Sequence, residues 1–135
     1  MSQVFELPIR VYIEDTDAGG IVYYVNYLKF VERSRTELLR SFGYGKTAIL
    51  EDGLLLVVHS LESQYLAPAR LDDELIVTTE VRKVARAYVQ FHQQVRRGDT
   101  VLCKADVKIA CVNPDMKPTP LPEHLRHAIQ SYSAL

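Results

Sequence analysis

The stretch EDTDAGGIVYYVNY, residues 14–27, decides how this chain is read. It sets two carboxylates and a glycine pair directly before a run of bulky apolar and aromatic residues. Upstream, Val4 to Asp15 alternates around Ile9, Val11 and Ile13 and predicts a strand with Pro8 near its start. Downstream the period changes. Leu28, Val31, Leu38, Leu39 and Phe42 fall on one helical face, while Lys29, Glu32, Arg33, Glu37 and Arg40 fall largely elsewhere. A long helix from about Tyr23 or Asn26 to Phe42 follows, with Asn26 as its N-cap and Gly43 as its stop.

After a connecting segment, four further strands are expected: Leu54 to Tyr65, Glu74 to Val84, Ala87 to Arg96 and Thr100 to Asn113. In the last, Val101, Cys103, Ala105, Val107, Ile109 and Cys111 alternate with a face holding Lys104, Asp106 and Lys108. One face is dry and the other wet. Arg97-Gly98-Asp99 stands where a hairpin turn is needed. Four of the six prolines lie between Asn113 and Pro122, ahead of a short C-terminal helix around Glu123 to Ser131. The order strand, long helix, four strands predicts an α+β fold in one domain over residues 1–135, an antiparallel sheet with its helix on one face. A single helix is narrow cover for such a sheet, and a two-fold dimer is the simplest way to hide more of it.

Composition removes several function classes. With 135 residues, 47% hydrophobic and a net charge of -1, the chain lacks the field of a nucleic-acid binder. No run approaches the ~18 apolar residues of a membrane span, and no basic start with an apolar core marks a leader, so a cytoplasmic protein is expected. Cys103 and Cys111, on one strand, would stand about 27 Å apart and cannot pair. GxSxG, HExxH and CxxC are absent. The GKT at 45–47 lacks the earlier glycine of a phosphate loop, since Arg40 occupies that position. His59, His92, His124 and His127 are scattered, and no metal is implied. His59, in the apolar run LLLVVHSLESQYL, is the one candidate for a pocket histidine, partly buried. Asp72 and Asp73 read as a polar turn, and Tyr27 as a core aromatic.

Chemically, the opening stretch is suited to acyl transfer. Asp17 offers a carboxylate, Gly19 and Gly20 permit close backbone approach, and a helix start supplies free N–H groups with a positive dipole end. A thioester suits such equipment because a thiol with a pKa of about 8.5 leaves without firm protonation.

The segment RVYIEDTDAGGIVYYVNYLKFVERSRTELLRSFG, residues 10–43, resembles the signature of hotdog-fold acyl-CoA thioesterases of the 4-hydroxybenzoyl-CoA thioesterase type. YLAPARLDDEL, residues 65–75, is similar to the branch associated with the Tol-Pal envelope system. The resemblance, from about Arg10 to Pro120, implies a five-stranded antiparallel sheet wrapped around the long helix. It also implies dimers that can form tetramers, with active sites at the dimer interface. It assigns Asp17 as nucleophile or general base and the Tyr24 backbone N–H as oxyanion donor. Asp15 goes to loop structure, and Glu32 with Arg35 to support or pocket roles. Some Tol-Pal-branch members carry a tyrosine four residues before the acid and a histidine seven after it. Here Ile13 and Tyr24 stand at those positions, so no histidine-assisted mechanism is expected.

The substrate implied is an acyl-CoA or an acyl-carrier protein, with short or medium acyl groups and no separate cofactor. Arg82, Lys83 and Arg86 are candidates for holding the CoA phosphates. Two other functions fit the same fold: a dehydratase or isomerase acting on acyl thioesters, and a non-catalytic acyl-thioester or acyl-carrier-protein binding module.

Overall fold

The computed structural model describes residues 3–44, 50 and 53–133. Five strands form one antiparallel sheet: β1 (Val4–Arg10), β2 (Leu55–Tyr65), β3 (Glu74–Val84), β4 (Tyr88–Arg97) and β5 (Thr100–Val112). Their spatial order is β1-β3-β4-β5-β2, so β1 and β2 are the edges. Helix α1 (Tyr24–Ser41) lies on one face, and α2 (Glu123–Ser133) packs against β3 beside it. The GKT at 45–47 lies outside the described residues.

Side-chain period explains the layering. On β4, Val89, Phe91, Gln93 and Val95 are buried, and their neighbours point outward into partial exposure. The matching residues of β3 are Leu75, Val77, Thr79 and Val81, and those of β5 are Cys103, Ala105, Val107, Ile109 and Cys111. The expected dry face is therefore present. Onto it α1 presents Tyr27, Phe30, Val31, Ser34, Leu38 and Leu39. Phe30 and Leu38 are fully buried, each worth about 1.5–3 kcal/mol of transfer free energy. The narrow cover of one helix is made good in part by α2, which buries Leu125 and Ile129, while Tyr132 meets Phe42 edge-on at 5.8 Å.

Both cysteines are free and buried on β5. Arg97-Gly98-Asp99 makes the β4–β5 turn, with Gly98 at φ +58, a conformation that favours glycine. Among the described residues, no helix is long and apolar enough to cross a membrane.

Two boundaries differ from the sequence expectation. The first strand stops at Arg10 instead of reaching Asp15, because a 3-10 turn at Ile13–Asp15 intervenes and leaves Ile13 76% exposed. The Asp15 carboxylate draws the chain out of extension by accepting the Tyr12 N–H at 2.9 Å. Asn26 is not the N-cap of α1. That position belongs to Tyr23, which makes no side-chain cap, and Asn26 sits in the first helical turn. Its side chain points backward instead, and Nδ2 donates to Asp15 Oδ1 at 2.9 Å.

Candidate active site

The glycine-rich stretch forms a small ribbon in front of α1. Thr16 bridges Val22, the Asp17 N–H donates to the Ile21 carbonyl at 2.9 Å, and the Gly20 N–H donates to the Asp17 carbonyl at 3.1 Å. Gly20 turns the chain at φ +79, where a side chain would be strained. Gly19 has a different task. Its N–H donates to Asp17 Oδ1 at 2.8 Å, and a Cβ on Gly19 would stand only 3.2 Å from that oxygen. The glycine pair thus lets the chain reverse while one Asp17 oxygen rests on a backbone amide.

The ribbon is fastened on both sides. Toward α1, the Tyr23 N–H donates to the Asp15 carbonyl at 2.9 Å, alongside the buried Asp15–Asn26 bond. Toward the YLAPARLDDEL segment, the Val22 N–H donates to the Ala69 carbonyl at 2.9 Å and Ile21 bridges Arg70. Tyr27 ties this second segment to the helix, its phenol oxygen accepting the Ala69 N–H at 2.9 Å. Burial raises the Tyr27 phenol above its ordinary pKa, so it stays neutral and serves as packing with a polar end. Asp15 is 4% exposed, and its carboxylate is taken up by the Tyr12 N–H and the Asn26 amide. Asp72 and Asp73 form the expected turn, in which Asp73 also pairs with Arg97 at 2.8 Å.

Tyr24 is the first residue of α1, so geometry gives its N–H no intrahelical acceptor. Beside it opens a cleft of about 300 Å³ lined by Ile21, Tyr24, Tyr27, Tyr65, Leu66 and Pro68, among others. Tyr65 forms its far wall, edge-on to Tyr24 at 5.9 Å and tilted against Tyr27 at 5.6 Å. The cleft is apolar, aromatic and open. It meets the positive end of the α1 dipole, where a developing negative oxygen is stabilised. Asp17 stands on the adjoining ribbon, exposed, and is not among the residues lining the cleft.

The other candidates lie elsewhere. Tyr65, Cys103, Val95 and Val77 share one row across the sheet, and Arg82 is five residues further along β3, about 17 Å away. The basic run is divided among separate tasks. Arg82 pairs with Glu80 at 3.0 Å, Lys83 stands 5.5 Å from the Tyr88 ring centre, and the exposed Arg86 offers its carbonyl to the Leu121 N–H at 2.8 Å. Lys108, not singled out from the sequence, is closer to the same ring at 4.0 Å. His59 is exposed at a bulge in edge strand β2, not partly buried as the surrounding apolar residues suggested. The bulge breaks the alternation on which that expectation rested. His124 and His127 are exposed on α2. Among the described residues, no group of His, Cys, Asp and Glu is arranged to hold a metal ion.

One buried network was missed. Gln93 lies on the dry face of β4, fully buried; its Nε2 donates to the Val31 carbonyl at 2.8 Å and to Thr79 Oγ1 at 2.7 Å. Its Oε1 accepts Arg35 Nη1 at 2.9 Å, and Ser34 Oγ lies 2.7 Å from Thr79 Oγ1. The available signal was a glutamine interrupting Val89, Phe91 and Val95, opposite a helix carrying Ser34 and Arg35 on its buried side. Polar residues meeting across two apolar faces are paired far more often than orphaned.

A profile described as the Thioesterase-like superfamily matches residues 11–129, and the chain belongs to that family of thioester hydrolases. Within it, the sequence is similar to an acyl-CoA thioesterase YbgC of Haemophilus influenzae, 46% identical over 126 residues that cover 92% of this chain and 93% of the relative. It is also similar to the acyl-CoA thioester hydrolase YbgC of Escherichia coli, at 41% identity over 90% of this chain and 92% of that protein. Among solved structures, a probable thioesterase from Bartonella henselae superposes with a TM-score of 0.84 at 34% identity, covering 89% of this chain and 100% of its own. The sheet order and long helix are thus those of the hotdog fold expected from the sequence.

Proposed function

We propose that this chain is an acyl-CoA thioesterase, hydrolysing an acyl thioester to a carboxylic acid and free CoA, with Asp17 and the Tyr24 backbone N–H at the reacting carbonyl. The observation that carries the proposal is the junction itself: an apolar cleft against the first amide of a long helix, on whose entry ribbon the carboxylate is held. The relatives named YbgC support the acyl-CoA class of substrate.

In the reaction, the acyl group occupies the aromatic cleft and its carbonyl oxygen accepts the Tyr24 N–H. As the carbonyl becomes tetrahedral, negative charge grows on that oxygen, where one well-placed donor contributes about 3 kcal/mol. Asp17 either takes a proton from water as it attacks, or attacks the carbonyl itself to give a mixed anhydride that water then opens. In both cases the C–S bond breaks, the electron pair leaves on sulfur, and the thiolate takes up a proton to become CoA. The Tyr24 phenol has no required part.

Because Asp17 is outside the cleft lining in one chain, this mechanism places the working site in a homo-oligomer, a dimer or tetramer whose second copy encloses the carboxylate. Lys83 and Arg86 remain candidates for the CoA phosphates, with contacts that are surface-exposed and salt-sensitive. We assign the enzyme to the cytoplasm, with CoA or an acyl-carrier protein as thiol carrier.

The deciding experiment is a thiol-release screen over aliphatic and aromatic acyl-CoAs, run beside Asp17→Asn. A positioned acid–base group supplies about 10²–10⁴-fold, so kcat should fall by that factor while fold and oligomer persist. Retention of most of kcat would overturn the assignment.

A further inference from the structure

The connection between β2 and β3 has two jobs at the candidate site. Leu66, Ala67 and Pro68 wall the Tyr24 cleft. The next two residues hold the ribbon: the Val22 N–H donates to the Ala69 carbonyl at 2.9 Å, and Ile21 bridges Arg70. The Ile21 carbonyl in turn accepts the Asp17 N–H at 2.9 Å. The placement of the carboxylate therefore depends on a loop that belongs to no strand or helix.

That loop is gripped from two sides. From within, the buried Tyr27 phenol accepts the Ala69 N–H at 2.9 Å. From the solvent side comes Arg97, the last residue of β4, whose Nη1 donates to the Pro68 carbonyl at 3.2 Å and to Asp73 Oδ2 at 2.8 Å. One guanidinium nitrogen thus spans residues 68–73. The same Asp73 oxygen accepts the Arg70 N–H at 2.8 Å, so the residue that bridges Ile21 is bound into the clamp. Inside the span Asp72 has φ +69, a conformation that costs a non-glycine residue and persists where surrounding contacts hold it. Tyr27 lines the cleft and Arg97 does not, so Arg97 can reach the reacting groups only through the loop.

The geometry points to Arg97 as a positioning residue for the Asp17 ribbon: by joining the Pro68 carbonyl to the Asp73 carboxylate, it fixes the loop on which Ile21 and Val22 rest. Resting on the thioesterase reading, this adds to it a residue remote from both the cleft and the carboxylate. The Arg97 and Asp73 side chains are 40% and 23% exposed, and an ion pair so open to water adds little to stability. Displacing reacting groups by an ångström, in contrast, costs on the order of 100-fold in rate. The clamp should therefore show in turnover far more than in melting.

The test compares Arg97→Met, which keeps the apolar stem and drops the donors, with Arg97→Lys, which keeps a cationic donor. In thiol release from butyryl-CoA and benzoyl-CoA, Arg97→Met should lose tenfold or more in kcat with KM within threefold of the parent. Its melting temperature should fall by no more than ~3 °C. Arg97→Lys should recover at least a third of the parental kcat. Hydrogen exchange gives a readout without turnover: the Val22 amide should exchange at least tenfold faster in Arg97→Met, while the amides of β4 and β5 keep the parental rate. Asp17→Asn should leave Val22 exchange unchanged, so failure of the thioesterase reading and failure of this inference are told apart. The inference is overturned if Arg97→Met keeps kcat within twofold, or if the methionine and lysine variants fall alike. It is equally overturned if Val22 exchange does not respond, or if exchange quickens evenly across the sheet, which would make the contact one of stability alone.

Discussion

The bond from Asn26 to Asp15 holds the carboxylate-bearing ribbon against the start of α1, and breaking it tests whether that fastening organises the site. In Asn26→Ala, Asp15 loses the Nδ2 donor it meets at 2.9 Å and keeps the Tyr12 N–H at the same distance. A hydrogen bond to a charged, buried group contributes about 1.5–3 kcal/mol, and Asp15 is 4% exposed, so a loss near 2 kcal/mol is expected. Alanine is the better helix former by roughly 0.5 kcal/mol, which offsets part of it. The net, about 1.5 kcal/mol, corresponds to a melting temperature lower by ~5 °C for a chain of this size. The assay is urea unfolding of Asn26→Ala, Asp15→Ala and the double variant. Once Asp15 is alanine, only the helix gain of roughly 0.5 kcal/mol is left to Asn26→Ala, which should then stabilise slightly, giving a coupling of about 2 kcal/mol. Below the unfolding range kcat should also fall, since misplacing reacting groups by an ångström costs on the order of 100-fold. If Asn26→Ala destabilised both backgrounds equally, the strut would be a contact without energetic meaning and the account of the ribbon would fail.

Tyr24→Phe should retain most of kcat in the thiol-release assay, because the backbone donor survives; a collapse equal to that of Asp17→Asn would give the phenol a role. Gln93→Leu should destabilise the fold by about 3 kcal/mol or more in guanidinium titrations, since it strips the buried Arg35 of its 2.9 Å acceptor; Gln93→Glu, which restores an acceptor, should recover part of that. Asp73 gives a pH signature. Desolvation pushes its carboxyl up, but the Arg70 N–H and the Arg97 guanidinium outweigh this and hold it below its ordinary value of 3.8. A depressed carboxyl stabilises the fold above its unfolded pKa, so the lead in melting temperature over Asp73→Asn should be full above pH 3.8 and shrink as pH falls through the folded pKa.

Periodicity carried most of the fold into plain view, because both faces of each element obey a simple rule. The alternation of Leu75, Val77, Thr79 and Val81, and the helical stripe through Val31 and Leu38, correspond to buried side chains. What periodicity could not reveal is where a local hydrogen bond outcompetes it. Ile13 continues the alternation of Ile9 and Val11, yet the Asp15 carboxylate turns the backbone and leaves Ile13 in solvent. Asn26 has the chemistry of a cap, and only the folded ribbon shows that its partner is a side chain eleven residues earlier. In the candidate site, the neighbourhood of Asp17 and Tyr24 was legible because both lie in one contiguous stretch. Tyr65 and Gln93 were not, since their partners come from distant strands and no local pattern encodes which rows meet.

The strand order has a consequence for how the chain comes off the ribosome. The two strands made first, β1 and β2, end at the margins, and each has a single neighbour, β3 or β5, that is synthesised later. β2 waits until residue 112 has emerged, and α1 meanwhile has no completed surface to settle on. Pairing across such separations is slow, so the nascent chain must carry its apolar helix uncovered until the meander from Glu74 to Val112 supplies the template.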